Sequence, residues 1–521
     1  MRPFALLTTT LLGCTTATVQ DPARTGDASV HPAEAGPEDV GFWDAGSPDT
    51  FVVVDSGPPP ELPPTVEETW ATPLADNSSA SPIATDLNGD GILDIVLGTG
   101  TENARGAVEA ISGVNGGSLW RNAVANESIF TLPLKLDVDL DGRDEIIVGG
   151  RGAELLALDA QTGQQHWSFS PRGNSGRDAG YFNFYTPQKL PDLDGDAVPE
   201  LLVANGGDSR AEPFAPRPPG HLMILSGATG ETLRKAAMPD EAETYLSPLW
   251  VEQDPLDASF IVFGSGGETL SGSLWRATLG ELMAEDLSEA VQLVAPASYK
   301  GFIAPPTVAD LNKDGQLDVI TSSFDGYLKA ISLRRGEEIW SHFVPDTETQ
   351  ASPSVGYLND DDYPDVLALF CRGTYPQWNG TELIAVSGHD GRILFRHTFE
   401  YAAIPSPLLA DFNQDGLDEA LVILNPVVSQ GGAPRRDQKV IMIEGGSGEI
   451  HELAVHPGNT IGTPVLADID RDRRYELVFT RSGQRGLELV RWDFNTPIDE
   501  RPSWTGYLGP TGTGQFSPSR R

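Results

Sequence analysis

The sequence predicts an all-β chain folded as a β-propeller of eight blades, each of four antiparallel strands, with seven blades as the alternative count. Three observations carry this prediction. An acidic nine-residue loop recurs along the chain, a proline precedes it at a fixed distance, and a glycine turn leading to an aromatic residue follows it.

The loop places oxygen-bearing side chains at positions one, three, five and nine. These are Asp86, Asn88, Asp90 and Asp94 in the first copy, and Asp137, Asp139, Asp141 and Glu145 in the second. The third has Asp192, Asp194, Asp196 and Glu200, and another has Asp310, Asn312, Asp314 and Asp318. The last two are Asp411, Asn413, Asp415 and Glu419, then Asp468, Asp470, Asp472 and Glu476. A weaker copy over 357–365 begins with Tyr357, and a unit at Glu252 keeps the frame but lacks the loop. Pro82, Pro133, Pro248, Pro306, Pro353, Pro407 and Pro464 each stand four residues before position one, and Pro187 stands five before. Eight units result, spaced by 47 to 60 residues.

Each unit reads as four strands. A short strand follows the proline, and the loop leads to a β-branched strand such as 94–97. A third strand resembles 107–111, and a fourth carries Trp120, Trp167, Trp340 or Phe395, each four residues after Gly116, Gly163, Gly336 or Gly391. Units of about fifty residues with four strands have the dimensions of a propeller blade. The aromatic residue is expected to pack blade on blade. A strand around Trp70 precedes the first unit while the last unit lacks a fourth, so pairing chain start with chain end would close the ring and protect both edges.

At this point the sequence resembles the FG-GAP and VCBS repeat proteins, relatives of the integrin alpha-subunit propeller, over residues 67–509. The literal Phe-Gly and Gly-Ala-Pro pairs are mostly missing, which points to a bacterial branch. The Thr-Gly-x-x-x-Trp element also resembles the repeats of quinoprotein-type propellers, where it is a packing motif.

The loops have the composition of a calcium site. Calcium takes six to eight oxygen ligands in flexible geometry, and the side chains above supply most of them. The carbonyl at position seven would add one more: Ile92, Arg143, Val198, Gln316, Leu417 and Arg474. The closing acid stands at position nine and a strand follows, so this is not an EF-hand. With no His or Cys among these positions, zinc and copper fit poorly. About six ions are expected; the loop at Tyr357 is left open. Six ions would offset about twelve of the 40 net negative charges of the chain.

That acidity excludes nucleic-acid partners, because phosphate binding needs clustered Lys and Arg. Residues 1–13 read as a signal peptide ending at Leu12, Gly13 and Cys14, a run that resembles the lipobox of bacterial lipoproteins and implies lipidation at Cys14. Thr15 after it favours the outer membrane by the same analogy. Residues 14–66 read as a disordered tether, the membrane being reached only through the lipid, and 510–521 as a C-terminal tail. No phosphate loop or nucleophile elbow is present, and Cys371 has no adjacent cysteine partner, so no enzymatic activity is expected.

A binding role for an unknown protein or glycan is the expectation, with a periplasm-facing assembly scaffold as the alternative and a glycan-active enzyme as a third reading. Loops joining second to third strands, and those linking blades, share the face opposite the acidic loops. Long insertions fall there, over 170–185, 206–220, 372–380 and 425–439, and long loops on a rigid scaffold commonly carry recognition. Tyr181, Phe184, Tyr375, Trp378, Arg435 and Arg436 are the candidate contacts.

Overall fold

The computed structural model describes residues 62–101, 105–123, 127–169, 181–208, 210–427, 437–483, 486–498 and 504–517. The signal peptide, Cys14, nearly all of the tether, and Arg435 and Arg436 lie outside the described residues.

The sheets form eight blades of four antiparallel strands, and in every blade but the fourth an acidic loop joins the first two strands. In blade 1 the strands are Ile83–Thr85, Asp94–Gly98, Val108–Ile111 and Ser118–Asn122. The second strand is buried at every position, because neighbouring blades cover both its faces; the outermost buries only Trp120. In blades 3 and 6 the innermost strand is split in two, at 183–184 and 188–189, and at 347–348 and 354–356. The Glu252 unit is a blade of its own, Leu249–Val251 through Val291–Val294, so the count is eight. The turn after its first strand holds a short 3-10 helix, Leu256–Ala258, where other blades carry the acidic loop.

The last blade closes the ring. Its strands Val465–Ala467, Arg474–Gly483 and Gly486–Pro497 are completed by Val66–Pro73 from the other end of the described chain, with Trp70 opposite Arg491. Trp70 is therefore the aromatic residue of blade 8. Its indole N–H donates to the Gly113 carbonyl of blade 1 at 3.0 Å, as Trp120 donates to Ala160, Trp167 to Gly227 and Trp340 to Gly388 in the next blade along. Each ring also lies over the turn glycine of that next blade: a Cβ on Gly116 would stand 2.9 Å from Trp70, and one on Gly163 2.5 Å from Trp120. These glycines have φ near +70°, so the turn and the packing both require them.

A second closure runs round the inner wall. The residue before the conserved-spacing proline is Ser81, Thr186, Ser247, Ser352, Ser406 or Thr463 in six blades. Its hydroxyl accepts the backbone N–H of the equivalent residue in the preceding blade. Thr463 N–H donates to Ser81 at 2.9 Å across the seam, Ser406 to Thr463 at 3.0 Å, and Ser352 to Ser406 at 2.9 Å. Thr186 donates to Ser247 and Leu132 to Thr186, each at 3.2 Å. The belt breaks where chemistry forbids it. Pro305 has no N–H to give, and the Ser352 hydroxyl is buried without a partner.

Residues 504–517 run inside the ring, including 510–517 of the expected tail. Leu409 N–H donates to the Trp504 carbonyl and Leu466 to Thr505, on the innermost strands of blades 7 and 8. Gln515 donates to Trp250, while Val308 N–H donates to Gly514 and Phe516 N–H to the Val308 carbonyl, which adds a short parallel edge to blade 5. Trp504, Leu508 and Phe516 are at most 2% exposed and join the core between blades.

Candidate functional site

The six acidic loops share one hydrogen-bond pattern. The acid at position nine accepts the N–H of position two, from 2.5 Å at Ile469 to 3.3 Å at Leu87 and Leu311. Position one accepts from position six, three from five, and five from seven; in the first loop these are Gly91 to Asp86, Asp90 to Asn88, and Ile92 to Asp90. The same three bonds recur in the last loop at Asp468, Asp470 and Asp472. To make them the chain turns left-handed twice, at positions four and six. Glycine fills position six in four of the six loops and position four in two. In the third loop Gly195 sits at four and Ala197 at six, and in the last Arg471 and Arg473 hold both positions.

This wiring gathers acids. Carboxylate oxygens of Asp137, Asp139 and Asp141 lie within 4.8 Å of one another, as do those of Asp192, Asp194 and Glu200, and of Asp468, Asp470 and Glu476. The closing acid of every loop is at most 2% exposed. Burial, reinforced by neighbouring carboxylates, raises the Asp94, Glu145 and Glu200 carboxyls above their ordinary range. It pushes Asp318 up to about 7 and Glu419 and Glu476 to about 8. Buried oxygens of Asp137, Glu419 and Asp468 have no hydrogen-bond partner. Burying such groups is costly without a compensating charge or donor, and a divalent cation would supply one.

Three loops depart from the common form. In the copy at Tyr357 the position-one carboxylate is missing and the Asn359 amide donates to Asp365 at 3.0 Å, so the loop answers its own buried acid. In the second loop His166, from the fourth strand, stands 3.6 Å from Glu145 and 3.9 Å from Asp139. An imidazole therefore lies beside an oxygen set that the loop spacing alone had left without one. In the last loop Arg491, 2% exposed, reaches Asp470 at 2.5 Å and Asp493 at 2.7 Å, and donates to the Gly113 carbonyl of blade 1 at 2.9 Å. Strand pairing puts Ala110, Ala157, Ala330 and Ala385 opposite the blade aromatic elsewhere, and Arg491 opposite Trp70 here. Sequence spacing gave no sign of either side chain.

On the opposite face, burial corrects part of the expected contact set. Phe184 is fully buried, edge-on to Phe169 at 4.8 Å, and Trp378 is 7% exposed with its N–H on Glu348 at 3.0 Å. Both are core residues, because an aromatic next to an interblade loop is drawn into the gap between blades. Tyr181 is half-buried beneath Lys235, whose ammonium lies 4.8 Å from the ring centre. Tyr375, 47% exposed, stands at the tip of the long blade-6 hairpin formed by Asp365–Thr374 and Gln377–Ser387. Cys371 is buried, with its thiol on the Ala403 carbonyl at 3.4 Å, and burial pushes it up to about 12.

At the centre of that face lies a cavity of about 260 Å³ to which all eight interblade linkers contribute. Belt residues line it, with Phe130, Tyr185 and Tyr245 on one side and Ile404 and Ile461 on the other, and Tyr507 of the C-terminal segment reaches it from within the ring. A second cavity, about 460 Å³, separates the C-terminal segment from the innermost strands of blades 8, 1, 2 and 3.

Comparison with known proteins agrees with this architecture. A family model described as the FAM234A/B beta-propeller matches residues 97–293. Human Protein FAM234A is 28% identical over 166 residues, 28% of this chain and 28% of the relative. Mouse Protein FAM234B is 26% identical over 355 residues, 63% of this chain and 54% of the relative. The chain thus spans about half, or less, of the length of these relatives. Among solved structures, a quinohemoprotein alcohol dehydrogenase from Pseudomonas putida HK5 superposes with a TM-score of 0.54 at 12% identity, covering 83% of this chain and 77% of that one. A europium-containing methanol dehydrogenase gives 0.51 at 11% identity, covering 82% and 93%. At such identities the likeness is one of fold alone.

Proposed function

We propose that this propeller is a calcium-stiffened binding module of the cell envelope, anchored through Cys14, that holds a protein or glycan partner on the face opposite its acidic loops. Repetition joined to burial carries the metal reading. Six loops converge carboxylate and amide oxygens in one wiring pattern, and each buries its last acid. The fold answers this charge only in part, with Arg491 inside the last loop. An oxygen-only donor set suits calcium, and the resemblance of the loops to FG-GAP and VCBS repeats favours the same ion. We read the chain as a binder and assign no reaction to it.

Elemental analysis of the full chain after dialysis against micromolar calcium tests the metal. About six calcium ions per chain are expected, and a chelator should lower the unfolding temperature. A content of one ion or fewer, with a melting curve that a chelator leaves in place, would overturn the reading. Incorporation of labelled palmitate that disappears in Cys14→Ser checks the anchor.

A further inference from the structure

We propose that the cavity at the centre of the linker face binds the terminal sugar ring of a glycan. The inference rests on the reading of this face as the binding face. It starts from the repeat itself. Three residues before the proline of their blades, Phe130, Tyr245, Ile303, Ile404 and Ile461 form a collar round the channel mouth, each at least partly exposed. Beneath it the belt presents Ser81, Thr186, Ser247, Ser406 and Thr463. Each of these oxygens accepts one backbone N–H, and a hydroxyl still has its own proton to donate. Among the described residues, no protein acceptor takes that proton from Ser81, Thr186, Ser406 or Thr463. Arg151, Glu268 and Gln350 complete the wall.

A ligand that fits must offer apolar faces to the collar and many oxygens to the belt. A pyranose does both: its C–H faces lie on aromatic and aliphatic side chains while its hydroxyls meet protein donors and acceptors. Size selects further, since about 260 Å³ is below the range of roughly 300–1,000 Å³ typical for drug-sized ligands. One ring fits. Two other partners fit poorly. A peptide adding a strand to the ring would find the innermost edges of blades 5, 7 and 8 already paired by the C-terminal segment at Val308, Leu409 and Leu466. A phosphate chain would meet a wall with Arg151 as its only Arg or Lys. The C-terminal segment also crosses the ring beneath Tyr507, so a polymer could present an end here and could not thread through.

Calcium-saturated full chain would be titrated by ligand-observed NMR with D-glucose, D-galactose, N-acetyl-D-glucosamine and D-glucuronate, with a neutral tetrapeptide as the competing class. Saturable binding of at least one sugar is expected, weakened about tenfold in Phe130→Ala, the loss of one stacking contact of roughly 1.4 kcal/mol. Gln350→Ala, a polar change on the opposite wall, should weaken it as well and guards against a folding defect in the first variant. Binding of none of the four sugars, binding unchanged in both variants, or binding of the tetrapeptide alone would each overturn the proposal. Repeating the titration in chelator separates the readings. Sugar bound in chelator leaves this site standing whatever the calcium content decides about the metal, whereas calcium bound without any sugar removes this site alone.

Discussion

Glu419→Gln should change the stability of this propeller in opposite directions with and without calcium. The Glu419 side chain is fully buried; one oxygen accepts the Phe412 N–H at 2.8 Å, and the other has no partner. Glutamine keeps the acceptor, removes the charge beside Asp411 and Asp415, and gives the unpartnered position a donor amide. Without metal and above pH 8, where Glu419 is ionised, relief of a buried unsatisfied carboxylate oxygen should stabilise the variant by about 1–3 kcal/mol. With calcium the variant lacks one anionic ligand. A site at about a hundredfold excess over its Kd contributes roughly 2.7 kcal/mol, most of which is lost if the variant no longer holds its ion. A gain at the lower end of that range is therefore reversed in calcium, with a swing between the two buffers of roughly 2.7 kcal/mol. Each kcal/mol moves the melting temperature by roughly 1 °C in a ring of this size, so scanning calorimetry in chelator and in millimolar calcium resolves it. A variant less stable than wild type by the same amount in both buffers would refute the reasoning, because the carboxylate would then serve the fold without an ion.

Further outcomes follow from the same contacts. In chelator, Glu419 is raised from its ordinary 4.5 to about 8, so the native state binds more protons than the unfolded chain between these values. Its contribution is complete below pH 4.5 and is lost as pH rises through 8, and urea titrations of the metal-free protein should show that decline flattened in Glu419→Gln. Arg491→Met leaves the buried Glu476 and the partly exposed Asp470 and Asp493 without their cation and should cost about 1–3 kcal/mol in chelator, measured by urea unfolding, and less in calcium, which restores positive charge to the loop. Gly116→Ala and Gly142→Ala both force a Cβ onto a left-handed residue, at φ +70° and +87°. Only the first meets Thr72 Oγ1 at 2.4 Å and Trp70 at 2.9 Å, so calorimetry should find it less stable than the second by about 1–3 kcal/mol. Trp504→Ala empties a fully buried site and should cost about 3–5 kcal/mol, whereas Trp504→Phe, which also removes an indole N–H that has no partner, should cost much less in the same measurement.

What the sequence could reveal was whatever the repeat forces on every blade. Position nine must be an acid because the position-two amide needs a buried acceptor, and the glycine four residues before Trp120 or Trp167 must be a glycine because an indole from the preceding blade lies on it. Such constraints recur in register and are visible as periodicity. The side chains that distinguish one blade from another leave no such trace. His166 and Arg491 approach their loops from the fourth strand and the third, across hydrogen-bonded neighbours, and only the pairing register brings them there. Phe184 and Trp378 failed as surface contacts for the same reason, since loop membership says nothing of which side of an interblade gap a ring enters.

The hydroxyl belt belongs to the legible part, although the proline alone drew attention in the sequence. Proline fixes the backbone as each innermost strand begins and removes one donor there, and the residue before it is held extended. In that geometry a Ser or Thr side chain can reach the next linker in the ring, which is why six of eight positions carry one and why Pro305 interrupts the chain of bonds. The same repetition that closes the ring thus lines its mouth with hydroxyls, and five of the eight residues three before a proline line it with apolar groups. A surface built this way has no counterpart on the acidic-loop face, where every repeated side chain is committed to its own loop. The proposed sugar site and the proposed metal loops therefore lie at opposite ends of the blade strands. A ligand at the mouth would sense the ions only through the stiffness they give to the strands between, so its affinity should change little when a single loop is disabled and more when all are emptied.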